Sequence, residues 1–339
     1  MTDRMTFRTL ALLSALLIPA CGRAPDVTLY VALDQEHSER LVKLFEERSG
    51  LKVNARFDTE ANKTVGLANA LFEERARPRA DVFWNNELAH TVRLADSGLL
   101  APYRSPSAQE VPDRFRDPKD RWTAFAARAR VLIVNTQLVP EAAQHPKSYR
   151  DLLDPRWKGR CGVARPLTGT TLTHFAALAQ ALGGQEFQAF LAGLKANDVE
   201  LLQSNGATMR AVAEGRLAFA FTDTDDFHVA KTKGHPVAVV FPDQGEGGLG
   251  TMLIPNSVGL IANGPKPDNA RKLVDFILST EVEALLAASK AAQIPVRSGV
   301  KGPEGLPATA TLKWMDWDAG KVATSLDAFA KAMHERFGK

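Results

Sequence analysis

The chain has 339 residues, with 45% hydrophobic and 24% charged side chains and 24 Gly and 19 Pro spread along it. That length suits two domains, and the composition gives enough apolar side chain for a sizeable core while excluding a disordered, collagen-like or coiled-coil chain. Lys and Arg number 42 against 39 Asp and Glu, a net charge of +3, which is too small to draw the chain to nucleic acid or to a charged membrane surface.

In chain order, a charged start is followed by the apolar stretch Thr9 to Ala20, too short to span a bilayer and of signal-peptide length. It ends Leu17-Ile18-Pro19-Ala20-Cys21-Gly22, which looks like a lipobox, with an aliphatic residue three places before the cysteine and a small one just before it. On this reading residues 1–20 are a lipoprotein signal peptide, Cys21 carries the lipid and residues 21–26 form the tether. The protein then sits in the cell envelope, on the periplasmic or extracytoplasmic face, and touches the membrane through that anchor alone. A buried apolar helix with a chance cysteine is the alternative. Cys21 and Cys161 are too far apart in sequence to suggest a disulfide framework or a paired-cysteine metal motif.

From Val27 onward short β-rich runs alternate with helical periodicity: Val27 to Ala32, His37 to Ser49, Leu51 to Phe57, Lys63 to Ala76, Ala80 to Trp84. That alternation predicts parallel strands covered by helices. The same texture resumes from Arg160 to Phe241. Between the two stretches lies the long run Trp122 to Asn135, and a similar run, Gly250 to Ala262, follows the second. Two long strands suit a crossover between lobes. The predicted fold is therefore α/β with two lobes, each a mostly parallel sheet flanked by helices, joined by two crossover strands. The first lobe takes residues 27–127 plus 250–339 and the second takes 128–249. The C-terminal third reads helical over Pro267 to Ser279, Glu281 to Ser289 and Ala319 to Arg336.

Several segments in this order carry a resemblance: Val27-Thr28-Leu29-Tyr30, Phe45 to Val53, Ala80 to Glu87, Leu152 to Gly159, Thr168 to Thr171, and Asn256 to Leu260 before the helix at Pro267. Over roughly residues 26 to 300 the chain resembles the ferric-iron-binding branch of bacterial periplasmic binding proteins, the solute-binding components of ABC importers. The resemblance implies a two-lobe trap serving a membrane permease and its ATPase as a monomer. In that family one lobe gives a residue after the first strand and a glutamate after the third, which fall near Asp34 and on Glu87. The other lobe gives two adjacent tyrosines, which would fall in Phe221 to Phe227, where this chain has none. Its three tyrosines are Tyr30, Tyr103 and Tyr149.

The residues at that point are Asp223, Asp225 and Asp226, carboxylates crowded at a strand end, where like charges repel unless a cation or hydrogen-bond donors offset them. With Asp34 and Glu87 they form a candidate oxygen-ligand set for Fe(III) or another hard cation, with Asp34, Glu87, Asp223 and Asp225 as candidate metal ligands. Alternatively they accept from the hydroxyls or ammonium of an organic solute, or simply sit at the start of a helix running to Lys231. Gly169, Thr170 and Thr171 precede a helix and offer amides, hydroxyls and a positive dipole end, an anion pocket or ordinary capping chemistry. The resemblance makes the bound anion there a synergistic one and brings Asn205 to it. Arg128 and Arg130 alternate along the first crossover strand, share one face and supply positive charge. Glu60 and Thr64 follow the second strand at the same sheet end, and Asn86 and Trp84 flank Glu87 as amide donor and stacking face or as core. The seven histidines have no metal-ligand spacing, and no Ser-His-Asp, P-loop or paired-cysteine arrangement exists, so no enzyme is expected. The ligand is read as ferric iron or a hard cation with an anion, or as a polar organic anion such as a phosphonate, sugar phosphate or carboxylate. An envelope sensor subunit is the third reading.

Overall fold

The computed structural model describes residues 24–33, 35–58, 65–307 and 309–338. Cys21, Asp34, Glu60 and Thr64, and with them the signal peptide and the lipid anchor, lie outside the described residues. The chain begins β1 (Val27–Val31), α1 (Gln35–Ser49), β2 (Val53–Phe57), α2 (Val65–Glu73), β3 (Val82–Asn85), α3 (Leu88–Asp96) and the short β4 (Leu100–Ala101). After β5 (Thr123–Asn135) come β6 (Cys161–Ala164), α4 (Gly169–Leu182), α5 (Gly184–Ala196), β7 (Glu200–Leu202), α6 (Asn205–Ala213), β8 (Phe219–Asp223), α7 (Thr224–Thr232) and β9 (Val237–Val240). The return strand β10 (Leu253–Ile261) leads to α8 (Pro267–Ile277), α9 (Thr280–Ala288) and α10 (Ala319–Phe337).

These elements follow from local sequence. The helix α1 buries Leu41, Val42 and Phe45 on one stripe and turns charged residues outward, the amphipathic pattern of a helix on a sheet. Pro267 opens α8, where its missing N–H costs nothing. All 13 residues of β5 are buried, as its unbroken apolar run Val131-Leu132-Ile133-Val134 requires of a strand covered on both faces. The predicted boundaries hold within a few residues. The helix after Thr168 starts earlier than expected, at Gly169, whose φ of 59° is one that a side chain would disfavour.

In the first lobe β1 pairs in parallel with β2 and β3, and in the second β6 pairs in parallel with β7 and β8. The strand path runs β2-β1-β3-β10-β5-β8-β6-β7. β5 makes the link: its first half is antiparallel to β10 and its second half antiparallel to β8 and β9. The two long runs are therefore the crossover strands. Where β5 passes from one lobe to the other, the register against β10 slips between Pro255 and Asn256, and Ala126 opposite has φ 35°. A bulge of this kind bends a strand. The helix α10 lies against both α3 and α4. Phe329 on α10 meets Phe187 on α5 at 5.8 Å between ring centroids, and Asp327 pairs with Arg93 on α3 at 2.8 Å.

Candidate functional site

Parallel strands deliver their following loops to one sheet edge, where open α/β folds bind ligands. Here the turn from β3 to α3 brings Asn86 and Glu87, the approach to α4 brings Gly169, Thr170 and Thr171, and the start of α6 brings Asn205. The turn from β8 to α7 brings Asp223, Asp225 and Asp226. Arg128 and Arg130 reach them from β5.

Asp223 is the centre of the group. It is 2% exposed and directly opposite Arg130 in the β5–β8 ladder. Arg130 Nη1 donates to Asp223 Oδ1 at 2.6 Å, and Arg128 Nη1 lies 3.5 Å from Oδ2. The same Oδ2 accepts from Thr170 Oγ1 at 2.7 Å and from Asn205 Nδ2 at 3.0 Å. Asn205 also donates to Thr170 Oγ1 at 2.9 Å and accepts from Thr171 Oγ1 at 3.0 Å. Burial by itself would raise the Asp223 carboxyl, but the charges of Arg130 and Arg128 with the Thr170 hydroxyl outweigh it and hold it below the ordinary carboxylate range. Asp223 occupies the position that caps α7, yet its side chain makes no capping bond. The arginines hold it toward β5 instead, so the simple capping alternative fails for this residue.

Asp225 and Asp226 follow on the first turn of α7, and carboxylate oxygens of all three aspartates lie within 4.8 Å of one another. Arg128 Nη1 is 3.8 Å from Asp225 Oδ2. Asp226 accepts from Thr222 Oγ1 at 2.7 Å. Burial first, then the charges of Asp225 and Asp223, push the Asp226 carboxyl up to about 7. The site thus holds one neutralised carboxylate and two crowded ones, a donor set of the hard-oxygen kind that suits Ca²⁺-like or trivalent cations.

Glu87 and Asn86 reach the same place from the other lobe. Glu87 caps α3, accepting from the backbone of Ala89 at 2.9 Å and of His90 at 3.3 Å. Its Oε1 also accepts from Thr173 Oγ1 of α4 at 3.0 Å, a hydrogen bond between lobes. The Asn86 carbonyl accepts from Arg128 Nη2 at 2.7 Å. With these bonds made, Glu87, 1% exposed, is a cap and an interlobe contact. Trp84 is core: it is 1% exposed and packs on Phe125 at 5.4 Å between ring centroids. No tyrosine enters the group. Tyr30 donates to Glu74 and Tyr103 to Asp275, and Tyr149 packs on Phe190. Cavities of about 910 Å³ beside α1 and α9 and about 660 Å³ beside α3 are lined by none of these site residues.

Sequence reasoning gave no role at the site to Thr173 or His174. Thr173 lies three residues after Thr170, the spacing that puts two side chains on one helix face, so the signal was present. His174 packs against Phe221 at 5.1 Å. Burial, then the Arg130 charge, hold it well below the ordinary histidine value and so neutral, an environment no sequence motif marks.

Residues 81–321 match the family described as bacterial extracellular solute-binding protein. The chain is 27% identical over 94% of its length to iron uptake protein A1 of Synechocystis, covering 92% of that protein. It is 28% identical to a putative 2-aminoethylphosphonate-binding periplasmic protein of Salmonella typhi, over 79% of each chain. Iron-bound HitA of Pseudomonas aeruginosa superposes with a TM-score of 0.79 at 27% identity, over 91% of this chain and 98% of that one.

Proposed function

The chain belongs to the bacterial extracellular solute-binding protein family, and from that premise we propose that it captures ferric iron, or another hard cation with a balancing anion, between its lobes for an ABC permease and ATPase. One observation carries this reading: three aspartates crowd their oxygens within 4.8 Å on the face that meets Glu87 of the other lobe. Crowded carboxylates repel, and a multivalent cation relieves that repulsion. The iron-related names of two of the relatives support the choice of ion. From the sequence, Asp34 is proposed as a further ligand with Asp225 and Asp226, and Glu60 and Thr64 as further ligand-binding residues. Because carboxylates replace the tyrosine pair, the ferric complex lacks strong phenolate colour. Protein purified without chelator should contain close to one equivalent of metal by elemental analysis, and Asp225→Asn with Asp226→Asn should remove it. Equal metal in wild type and variant refutes the reading.

A second reading, a polar organic anion, is favoured by Arg128 and Arg130 beside the hydroxyls of Thr170 and Thr171, and by the Salmonella relative. A phosphonate or sugar phosphate would then raise the melting temperature, and Arg128→Ala would abolish the shift. We further propose lobes of 27–127 plus 250–339 and 128–249, a monomeric working form without catalytic activity, and lipidation of Cys21. Labelled palmitate entering the wild type but not Cys21→Ser tests the anchor.

A further inference from the structure

Resting on the cation reading, we propose that Asp223 is the protein's own counter-anion: its carboxylate fills the anion pocket beside α4, so that cation capture needs no free anion. The pocket is recognisable from its parts. One hydroxyl on the first turn of a 14-residue helix, a side-chain amide and two guanidinium groups converge on one point, and the neighbouring Thr171 hydroxyl holds the amide in place. Donors and positive charge gathered in this way are the chemistry of a phosphate or carboxylate site. The point is occupied by Asp223, which takes Arg130 on one oxygen and Thr170, Asn205 and Arg128 on the other.

The placement is built into the sheet. Asp223 is the last residue of β8 and stands opposite Arg130, so the ladder that joins β8 to the crossover strand also seats the carboxylate. The residue forgoes its capping bond to α7 to sit there. An anion supplied by the chain loses no translational freedom on binding, whereas a free phosphate must pay that cost and also enter against the charge of Asp223. The wild-type pocket should therefore reject free phosphate, and the adjacent cluster should receive its cation already balanced against the arginines.

The probes are inorganic phosphate alone and iron loaded by air oxidation of ferrous chloride in buffer freed of phosphate, carbonate and citrate. Wild type should show no heat and no melting shift with millimolar phosphate. Asp223→Ala, which leaves Arg130 and Arg128 facing an emptied pocket, should bind phosphate about a hundredfold more tightly than wild type and be stabilised by it. If Asp223→Ala does not fold without phosphate, refolding in phosphate is the same result, and Asp223→Asn provides the intermediate case. Iron content should be independent of phosphate in wild type and phosphate-dependent in Asp223→Ala. Wild type that binds phosphate as tightly as the variant, a variant that gains no phosphate affinity, or wild-type loading that requires phosphate overturns the proposal. Wild type that loads no iron in either buffer defeats the cation reading instead, and the phosphate titrations still decide the role of Asp223.

Discussion

Arg297→Met should be among the most damaging substitutions outside the cleft. Arg297 is 2% exposed and pairs with Glu283, 0% exposed, through Nη1 at 2.7 Å. Its Nη2 donates at 2.6 Å to the carbonyls of both Ser107 and Leu278. Glu283 Oε1 accepts in turn from the backbone of Ala126 at 2.9 Å and of Val296 at 2.7 Å. Ala126 is the left-handed residue at the bulge where β5 crosses between lobes, so this pair fastens α9 to the crossover. Methionine fills similar space but leaves a buried carboxylate without its cation and two carbonyls without donors. Removing one partner of a buried pair costs about 3–5 kcal/mol, a large share of the roughly 5–15 kcal/mol that keeps a domain folded. Glu283→Gln keeps the shape and one acceptor oxygen, so its cost should be nearer 1–3 kcal/mol. The double variant should lose less than the sum, because no charge is then stranded. Urea unfolding followed by circular dichroism measures all three. A loss below about 1 kcal/mol for Arg297→Met, or strict additivity in the double variant, would show that the pair is not the fastening described.

Thr173→Val keeps volume but removes the interlobe bond to Glu87, worth roughly 1.5–3 kcal/mol for a charged acceptor; small-angle scattering of ligand-free protein should show a larger radius of gyration, and an unchanged radius argues against the contact as a latch. Asp226 has its carboxyl raised from 3.8 to about 7, so the folded state holds a proton that the unfolded state has released. Metal-free stability should therefore fall as pH rises from about 4 to about 7 and level off above, while Asp226→Asn, matching wild type near pH 5, should melt higher at pH 8; parallel pH profiles would refute this. Cys161 is fully buried, and burial pushes its thiol up to about 12. Iodoacetamide at pH 8 should accordingly leave it intact until denaturant is added, and rapid labelling of the folded protein would contradict that burial.

The amino-acid sequence determined the two lobes, the crossover strands and the loops that meet between them, because strand and helix periodicity and helix-start residues are local properties. Runs such as Val131 to Val134 read as a crossover strand without any partner in view. The order of elements and the family resemblance together set the loop carrying Glu87 on one lobe and the loops carrying Thr170 and Asp223 on the other, facing across a cleft. Tertiary structure decided what those side chains do. Asp223 read as a ligand with a helix cap as the alternative, and only the antiparallel register of β8 on β5 sets it against Arg130, 93 residues away. Glu87 read as a ligand, yet the lobes meet so that Thr173 takes one of its oxygens. Trp84 was undecided between cleft and core until Phe125 packed on it. The Glu283–Arg297 pair left no mark at all, since a charged residue in a helix normally faces solvent. In each case the chain's local preferences fix where a residue is delivered, whereas burial and charge partners come from segments distant in sequence, and those partners set its protonation and its role.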